Sequence, residues 1–456
     1  MTLIRVGIAK SLSLGLAGPT SFRPSAFKKE GFQPHFTPHH QEMIFDRELP
    51  LDLWVCEIVK HLDSPKDYLK FRATCKSWNL NLPKIPNHMK IPVPRLILPF
   101  DYETHGIQEA KHDFFHSSFP IDMPDTLFRG SGFGWLISIG LDGVIRMLNP
   151  CNKAQFDLPP MSTTPNVLAY NPDALDEEYT IKRIHRRDRD STNDDICIAN
   201  KYYIQEENIK KIIISSHPPD HKNKQQNDDF MAIAIYSEQD QLAFCKLGDN
   251  KWREFSIPTK IGVTGGLQDA IFHQGKIYGV DCDARLYEFD VKTSTGSVTD
   301  VPPPKDDPYI RCVDSNTKFL VCSIEGDLLM AVRYWTYTKR SDADADADAD
   351  DDDFYKTSKF NIYKLNKKRK KWRRIYSLGD SVLVVGLNTS ICMLPFTNGN
   401  GKWVRNCIYF CDNNYTYQHS EIVGGHDVGV FNLEDETIEE LFPNAEFIFP
   451  PPVWLS

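Results

Sequence analysis

Five stretches of this sequence share one pattern: an apolar strand, a polar turn and a second strand. They are "IRMLNPCNKAQFDLPP" ending at Pro160, "LAFCKLGDNKWREFSIP" ending at Pro258, "LYEFDVKTSTGSVTDVPPP" ending at Pro304, "FNIYKLNKKRKKWRRIYSL" ending at Leu378, and "VGVFNLEDETIEELFP" ending at Pro443. Four of the five close on an apolar residue followed by Pro. Strand–turn–strand with Asn, Asp, Gly or Lys at the turn is the signature of a β-hairpin. Further strand pairs precede several of them. "GWLISIGLDGVIRML" turns at Asp142-Gly143, and "AIFHQGKIYGVDCDARLYEF" turns at Gln274-Gly275 and again near Asp281–Asp283. Units of four strands recurring at roughly 45–70 residues have the spacing of propeller blades. A β-sandwich rarely needs roughly 350 residues in one domain, whereas six or seven blades of about 50 residues fill that length. The expected fold is mainly β: a β-propeller of six to seven irregular blades, preceded by a small helical module. Neither a recurring Trp-Asp pair nor a double-glycine repeat marks the blades.

Composition agrees with a folded body. Of 456 residues, 41% are apolar and 25% charged, which is globular and not disordered. The 30 Pro, 27 Phe, 18 Tyr and 8 Trp favour short strands and turns over a helical bundle. The net charge is −9, and the run Asp342–Asp353 supplies eight of the acids; without them the balance is −1. No global basic field points to nucleic acid. The 11 cysteines are an odd number without CxxC pairs, so they read as reduced, buried thiols of an intracellular protein. No metal site and no cofactor is expected. No run reaches 18 apolar residues, which excludes a membrane-spanning helix.

The chain divides into an extension (1–43), a helical module (44–82), a proline-punctuated linker (83–99) and the strand-rich body (100–456). The first 29 residues hold five Lys or Arg and no acid, a weak likeness to a mitochondrial or plastid transit peptide. A disordered extension before Met43 is the favoured reading, with the protein in the nucleus or cytoplasm. Two charged tracts interrupt the body. The Asp-Ala run at 341–353 is expected to be an exposed loop insertion. "KKRKKWRR" (Lys367–Arg374) lies between two strands, so a solvated hairpin tip is favoured over a nuclear import signal or a phosphate-binding patch. The acidic loop is expected to fold back onto it, through an attraction weakened by salt.

The helical module is too apolar to be a tail. Leu51, Val55 and Val59 fall at i, i+4 and i+8, with Trp54, Ile58 and Leu62 on an adjoining stripe and Leu53 beside them. That apolar arc is wider than the ~100° one core face requires. Ser64 can cap a second helix with Pro65 at its first position and Asp67 three residues on. Tyr68, Leu69, Phe71, Ala73, Cys75 and Trp78 add further apolar surface. A segment below roughly 40 residues rarely folds without a metal, disulfides or a partner. Its greasy face must therefore meet another surface.

The module resembles an F-box, the short three-helix motif that docks on a Skp-type linker protein. The resemblance rests on Leu49-Pro50, Asp52-Leu53, Ile58, Leu62, Leu69, Arg72-Ala73 and "CKSW" at Cys75–Trp78, with Thr74 where the family commonly has valine. "LDGVIRMLNPCNKAQFDLPP" and the C-terminal "FPPPVWLS" are similar to the blade motif and ending of a plant family of F-box proteins with a kinase-inhibiting-type propeller. The resemblance implies a non-enzymatic substrate receptor of an SCF-type ubiquitin ligase. Leu49, Pro50, Leu53, Ile58, Leu62, Leu69 and Trp78 would bind the linker, and through it a cullin and a RING subunit, while propeller loops hold a target protein. A scaffold or inhibitor that works without ubiquitin transfer is the alternative. A propeller enzyme is disfavoured: GxSxG and HExxH are absent, and the pairs Asp281/Asp283 and Glu434/Asp435 sit in turn-like contexts.

Overall fold

A computed structural model describes residues 94–98, 125–150, 152–183, 195–218, 230–238, 240–257, 266–311, 315–339, 353–395, 403–412, 425–443, 448 and 451–455, together with Val59, Phe71, Thr74, Trp78 and Leu82. The chain forms two compact units, residues 1–89 and 90–456. Of the sequence assignments, the extension at 1–43 and the acidic run up to Asp352 lie outside the described residues.

The second unit is built from sheets in chain order. After β1 (Arg95–Ile97) come β2 (Thr126–Gly132), β3 (Trp135–Gly140), β4 (Ile145–Leu148) and β5 (Gln155–Leu158), which form one four-stranded sheet. The strands β6 (Val167–Tyr170), β7 (Tyr179–Arg183) and β8 (Asp195–Ala199) make a three-stranded sheet. Three more four-stranded sheets follow. The first holds β9 (Ile209–Ile214), β10 (Met231–Tyr236), β11 (Gln241–Lys246) and β12 (Arg253–Glu254). The second holds β13 (Leu267–His273), β14 (Lys276–Asp281), β15 (Leu286–Asp290) and β16 (Thr295–Val298). The third holds β17 (Asn316–Cys322), β18 (Leu328–Lys339), β19 (Asp353–Asn366) and β20 (Lys371–Ile375). The last sheet has five strands: β21 (Val382–Val385), β22 (Ile391–Met393), β23 (Cys407–Phe410), β24 (Gly429–Asn432) and β25 (Ile438–Glu440), with β21 parallel to β23. Finally β26 (Val453–Leu455) pairs with β1.

The five repeated hairpins all form, as β4–β5, β11–β12, β15–β16, β19–β20 and β24–β25. Each supplies the last two strands of its sheet. The expected turns form too. Gln274 and Gly275 both take positive φ (51° and 75°), the backbone a two-residue hairpin turn requires, and Gly143 lies at 72°.

On the inner strands of the sheets, side chains alternate between two cores, not between core and water. On β10, Ala232, Ala234 and Tyr236 join one cluster with β3, while Ile233 and Ile235 join the next with β13. On β21, Val382 and Val384 face one neighbour, and Leu383 and Val385 the other. Apolar clusters therefore run from sheet to sheet. They return to the first sheet through Ile97, Val453 and Leu455 packed with Leu136 and Leu387. This is a closed ring of blades. The β1–β26 ribbon closes it by joining the two ends of the body, with Trp454 fully buried. Arg95–Ile97 falls in the stretch read from sequence as linker; its prolines leave a three-residue strand free to pair at the sheet edge.

The first strands of the sheets approach one another closely at the centre. Gly130 on β2 is an example: a Cβ there would lie 2.0 Å from the Ile212 carbonyl oxygen on β9. Only glycine permits that contact. Three buried thiols are held protonated and chemically quiet, because burial pushes Cys407 up to about 11 and Cys245 and Cys411 up to about 12.

Candidate partner-binding surfaces

In the first unit, Val59, Phe71 and Trp78 are helical, and Val59 and Leu82 are buried. Thr74 N–H donates to the Phe71 carbonyl at 3.1 Å, an i to i+3 bond that tightens the chain into a turn. Leu82 N–H then donates to the Trp78 carbonyl at 3.0 Å, an α-helical i to i+4 bond. Phe71 and Trp78 thus flank a turn. Their rings stack with centroids 4.3 Å apart and planes 21° apart. A pair of this kind contributes about 0.5–1.5 kcal/mol beyond area burial. Trp78 is the one sequence-selected linker-binding residue that the structure describes. It spends one ring face on packing inside the module and remains half-buried. Leu49, Pro50, Leu53, Ile58, Leu62 and Leu69 lie outside the described residues.

The propeller centre is polar and cross-linked between sheets. Lys211 on β9 places Nζ 2.7 Å from Asp269 Oδ1 on β13 and donates to the Gly386 carbonyl at 2.9 Å. Asp269 Oδ2 accepts from Leu320 N–H on β17 at 2.8 Å. One buried pair thereby ties together four sheets. A second network joins the last two. Arg333 on β18 pairs with Asp427 and with Asp412 (3.3 Å) and donates to Thr357 Oγ1 at 2.6 Å. Asp412 also accepts from Tyr355 and from Gly425 N–H. The two carboxylates hold the guanidinium protonated against the cost of burial.

The carboxylate pairs weighed from sequence do structural work. Asp281 accepts from Arg285 N–H at 2.8 Å and Tyr287 Oη at 3.0 Å, and burial pushes it up to about 6. Asp435 accepts from Thr437 N–H at 3.1 Å and Thr437 Oγ1 at 2.7 Å, closing the β24–β25 turn. A cavity of about 100 Å³ lies among Arg183, Tyr203, Glu238 and Asn166. It is below the roughly 300 Å³ at which small-molecule sites begin.

Sequence reasoning did not single out β6–β8. Six of the twelve exposed large apolar residues among the described residues fall between Leu168 and Tyr202. Ile196 and Ile198 on β8 are 66% and 61% exposed, while Tyr179 and Ile181 on β7 face the core. Concentrated apolar exposure of this kind marks interaction surfaces. The period-2 pattern of "DICIA" was the available signal, but it does not reveal that the sheet stops at three strands.

The KIB1-4 beta-propeller family matches residues 106–432 of this chain. The chain belongs to that family. Its relatives in Arabidopsis thaliana carry F-box names. F-box protein At2g17036 is 22% identical over 432 residues, which cover 90% of this chain and 94% of that protein. F-box protein SKIP23 is 23% identical over 432 residues, 90% of this chain and 95% of that one. F-box protein KIB4 is 24% identical over 190 residues, 41% of this chain and 38% of that one. The first two alignments run well beyond the propeller match, so the family resemblance extends over most of the chain.

Proposed function

We propose that this protein is the substrate-recognition subunit of an SCF-type ubiquitin ligase. The F-box-like segment from Leu49 to Trp78 docks on a Skp-type linker, and the propeller holds a target protein. The observation that carries the reading is that this segment precedes a propeller in a chain whose near-full-length relatives are named F-box proteins. Burial of a large aliphatic side chain contributes about 1.5–3 kcal/mol. Leu49, Leu53, Ile58, Leu62 and Leu69 are enough to support a stable interface. In this reading the chain performs no bond chemistry. It raises the effective concentration of the target's lysine near a charged conjugating enzyme. The ring tied by Lys211–Asp269 suits that task, because a stiff scaffold fixes the geometry of its loops.

The test is co-purification from plant tissue. Leu49→Ala with Pro50→Ala is expected to abolish recovery of a Skp-type protein and of cullin, while the propeller melts as in the parent chain. Unchanged recovery of both overturns the reading. Recovery of the linker without cullin from the parent chain favours a scaffold that works without ubiquitin transfer.

A further inference from the structure

We propose that the basic tip of the β19–β20 hairpin is a docking site for the acidic run of a second copy of this chain. The two tracts sit at opposite ends of one strand. Lys339 pairs with Asp353 where β19 begins, and Asn366 pairs with Lys371 where it ends. Thirteen strand rises of about 3.3 Å separate those ends by about 43 Å. The acidic run between Lys339 and Asp353 is tethered at both ends, so it projects at most half its contour. For thirteen residues that is about 24 Å. Within one molecule the acidic run therefore falls well short of the basic tip. The acidic run itself lies outside the described residues, and the length of β19 favours an occupant from a second copy.

The tip is built as a cation ladder. Leu365 and Trp372 point into the core and fix the hairpin. On the opposite face Lys364 lies directly across from Arg373, with Lys371 two residues before Arg373. Lys364 is paired with Asp327, Lys370 with Asp300, and Lys367 donates to Gln274. Lys368, Arg369, Lys371 and Arg373 are exposed and form no ion pair among the described residues. Like charges opposed across strands destabilise a hairpin unless an anion lies against them.

The acidic run has the matching period. Asp342, Asp344, Asp346, Asp348 and Asp350 alternate with alanine. In extended form such a repeat would present carboxylates on one side every ~6.6 Å, the spacing of Lys371 and Arg373. Two copies related by a two-fold axis, with their β19 strands antiparallel, would make this contact twice. Each surface pair is weak, so the dimer depends on that doubling and on low salt.

Sedimentation velocity of the full chain at 50 and 500 mM NaCl tests the proposal. The expected result is a dimer at low salt whose dissociation constant rises about ten-fold or more at high salt. General repulsion between two molecules of net charge −9 would act in the opposite direction, so the sign of the salt effect is diagnostic. Lys368→Gln, Arg369→Gln, Lys371→Gln and Arg373→Gln together are expected to give a monomer at 50 mM. Asp→Asn across 342–352 is expected to do the same. A labelled SDADADADADDD peptide, read by fluorescence anisotropy, is expected to bind the Asp→Asn chain and to dissociate the parent dimer. A parent chain that stays monomeric at both salt concentrations overturns the proposal. So does a site that ignores the peptide and binds a single-stranded oligonucleotide or anionic vesicles instead.

Discussion

Lys211→Met is the sharpest test of how the ring is held. The ammonium is buried between Asp269 at 2.7 Å and the Gly386 carbonyl at 2.9 Å, and Asp269 is 1% exposed. Methionine keeps most of the volume but strands the carboxylate, leaving it only backbone N–H partners, those of Leu320 and Ala270. Removing one member of a buried pair costs about 3–5 kcal/mol, a large share of the stability of a domain. Urea unfolding followed by tryptophan fluorescence measures the loss, since Trp454 is buried at the ring closure. The dependence on pH gives a second handle. Burial raises the Asp269 carboxyl above its usual value even with Lys211 opposing it. Without Lys211 the folded state holds that proton more tightly still. A folded-state pKa above the unfolded value gives stability that is present at low pH and lost as pH rises. The penalty of Lys211→Met is therefore smaller at pH 5 than at pH 8. Adding Asp269→Leu to Lys211→Met is expected to recover most of the loss, because no buried charge is then unpaired. A single-variant loss below about 1 kcal/mol would refute the reasoning, because removal of one partner of a buried pair costs far more. An equal loss at both pH values would refute it too.

Two further outcomes follow from the same ring. Asp281, pushed up to about 6 by burial, should contribute stability that falls as pH rises from about 4 to about 6. The amount is about 3 kcal/mol, and Asp281→Asn should flatten that part of a plot of unfolding free energy against pH. Gly130→Ala would drive a methyl group onto the Ile212 carbonyl and part β2 from β9, costing about 3 kcal/mol in chemical denaturation.

The hairpins were legible because their information is local. Gln274-Gly275 and Asp142-Gly143 specify turns by backbone conformation, and the flanking strands need no distant partner to be recognised. Ring closure was not legible. β1 pairs with β26 across more than 350 residues of chain, and three-residue strands between prolines carry almost no periodic signal. The blade strands were harder to read for another reason. "MAIAIY" and "VLVV" are apolar at every position because each blade has a neighbour on both faces, so the polar half of the usual alternation is missing.

The polar centre shows the same limit from another side. Lys211, Asp269, Arg333, Asp412 and Asp427 look like ordinary surface charges in sequence, and nothing in their spacing brings them together. Tertiary placement alone makes Lys211 and Asp269 a clamp across four sheets, and Arg333 the link between the last two. The basic tract that did stand out in sequence is one the fold leaves in water. Composition suggested that "DADADADAD" and "KKRKKWRR" belong together; the strand β19 sets the residues that anchor them, Asp353 and Asn366, at its opposite ends. The rise of a strand bounds which oppositely charged tract of its own chain a charge run can reach.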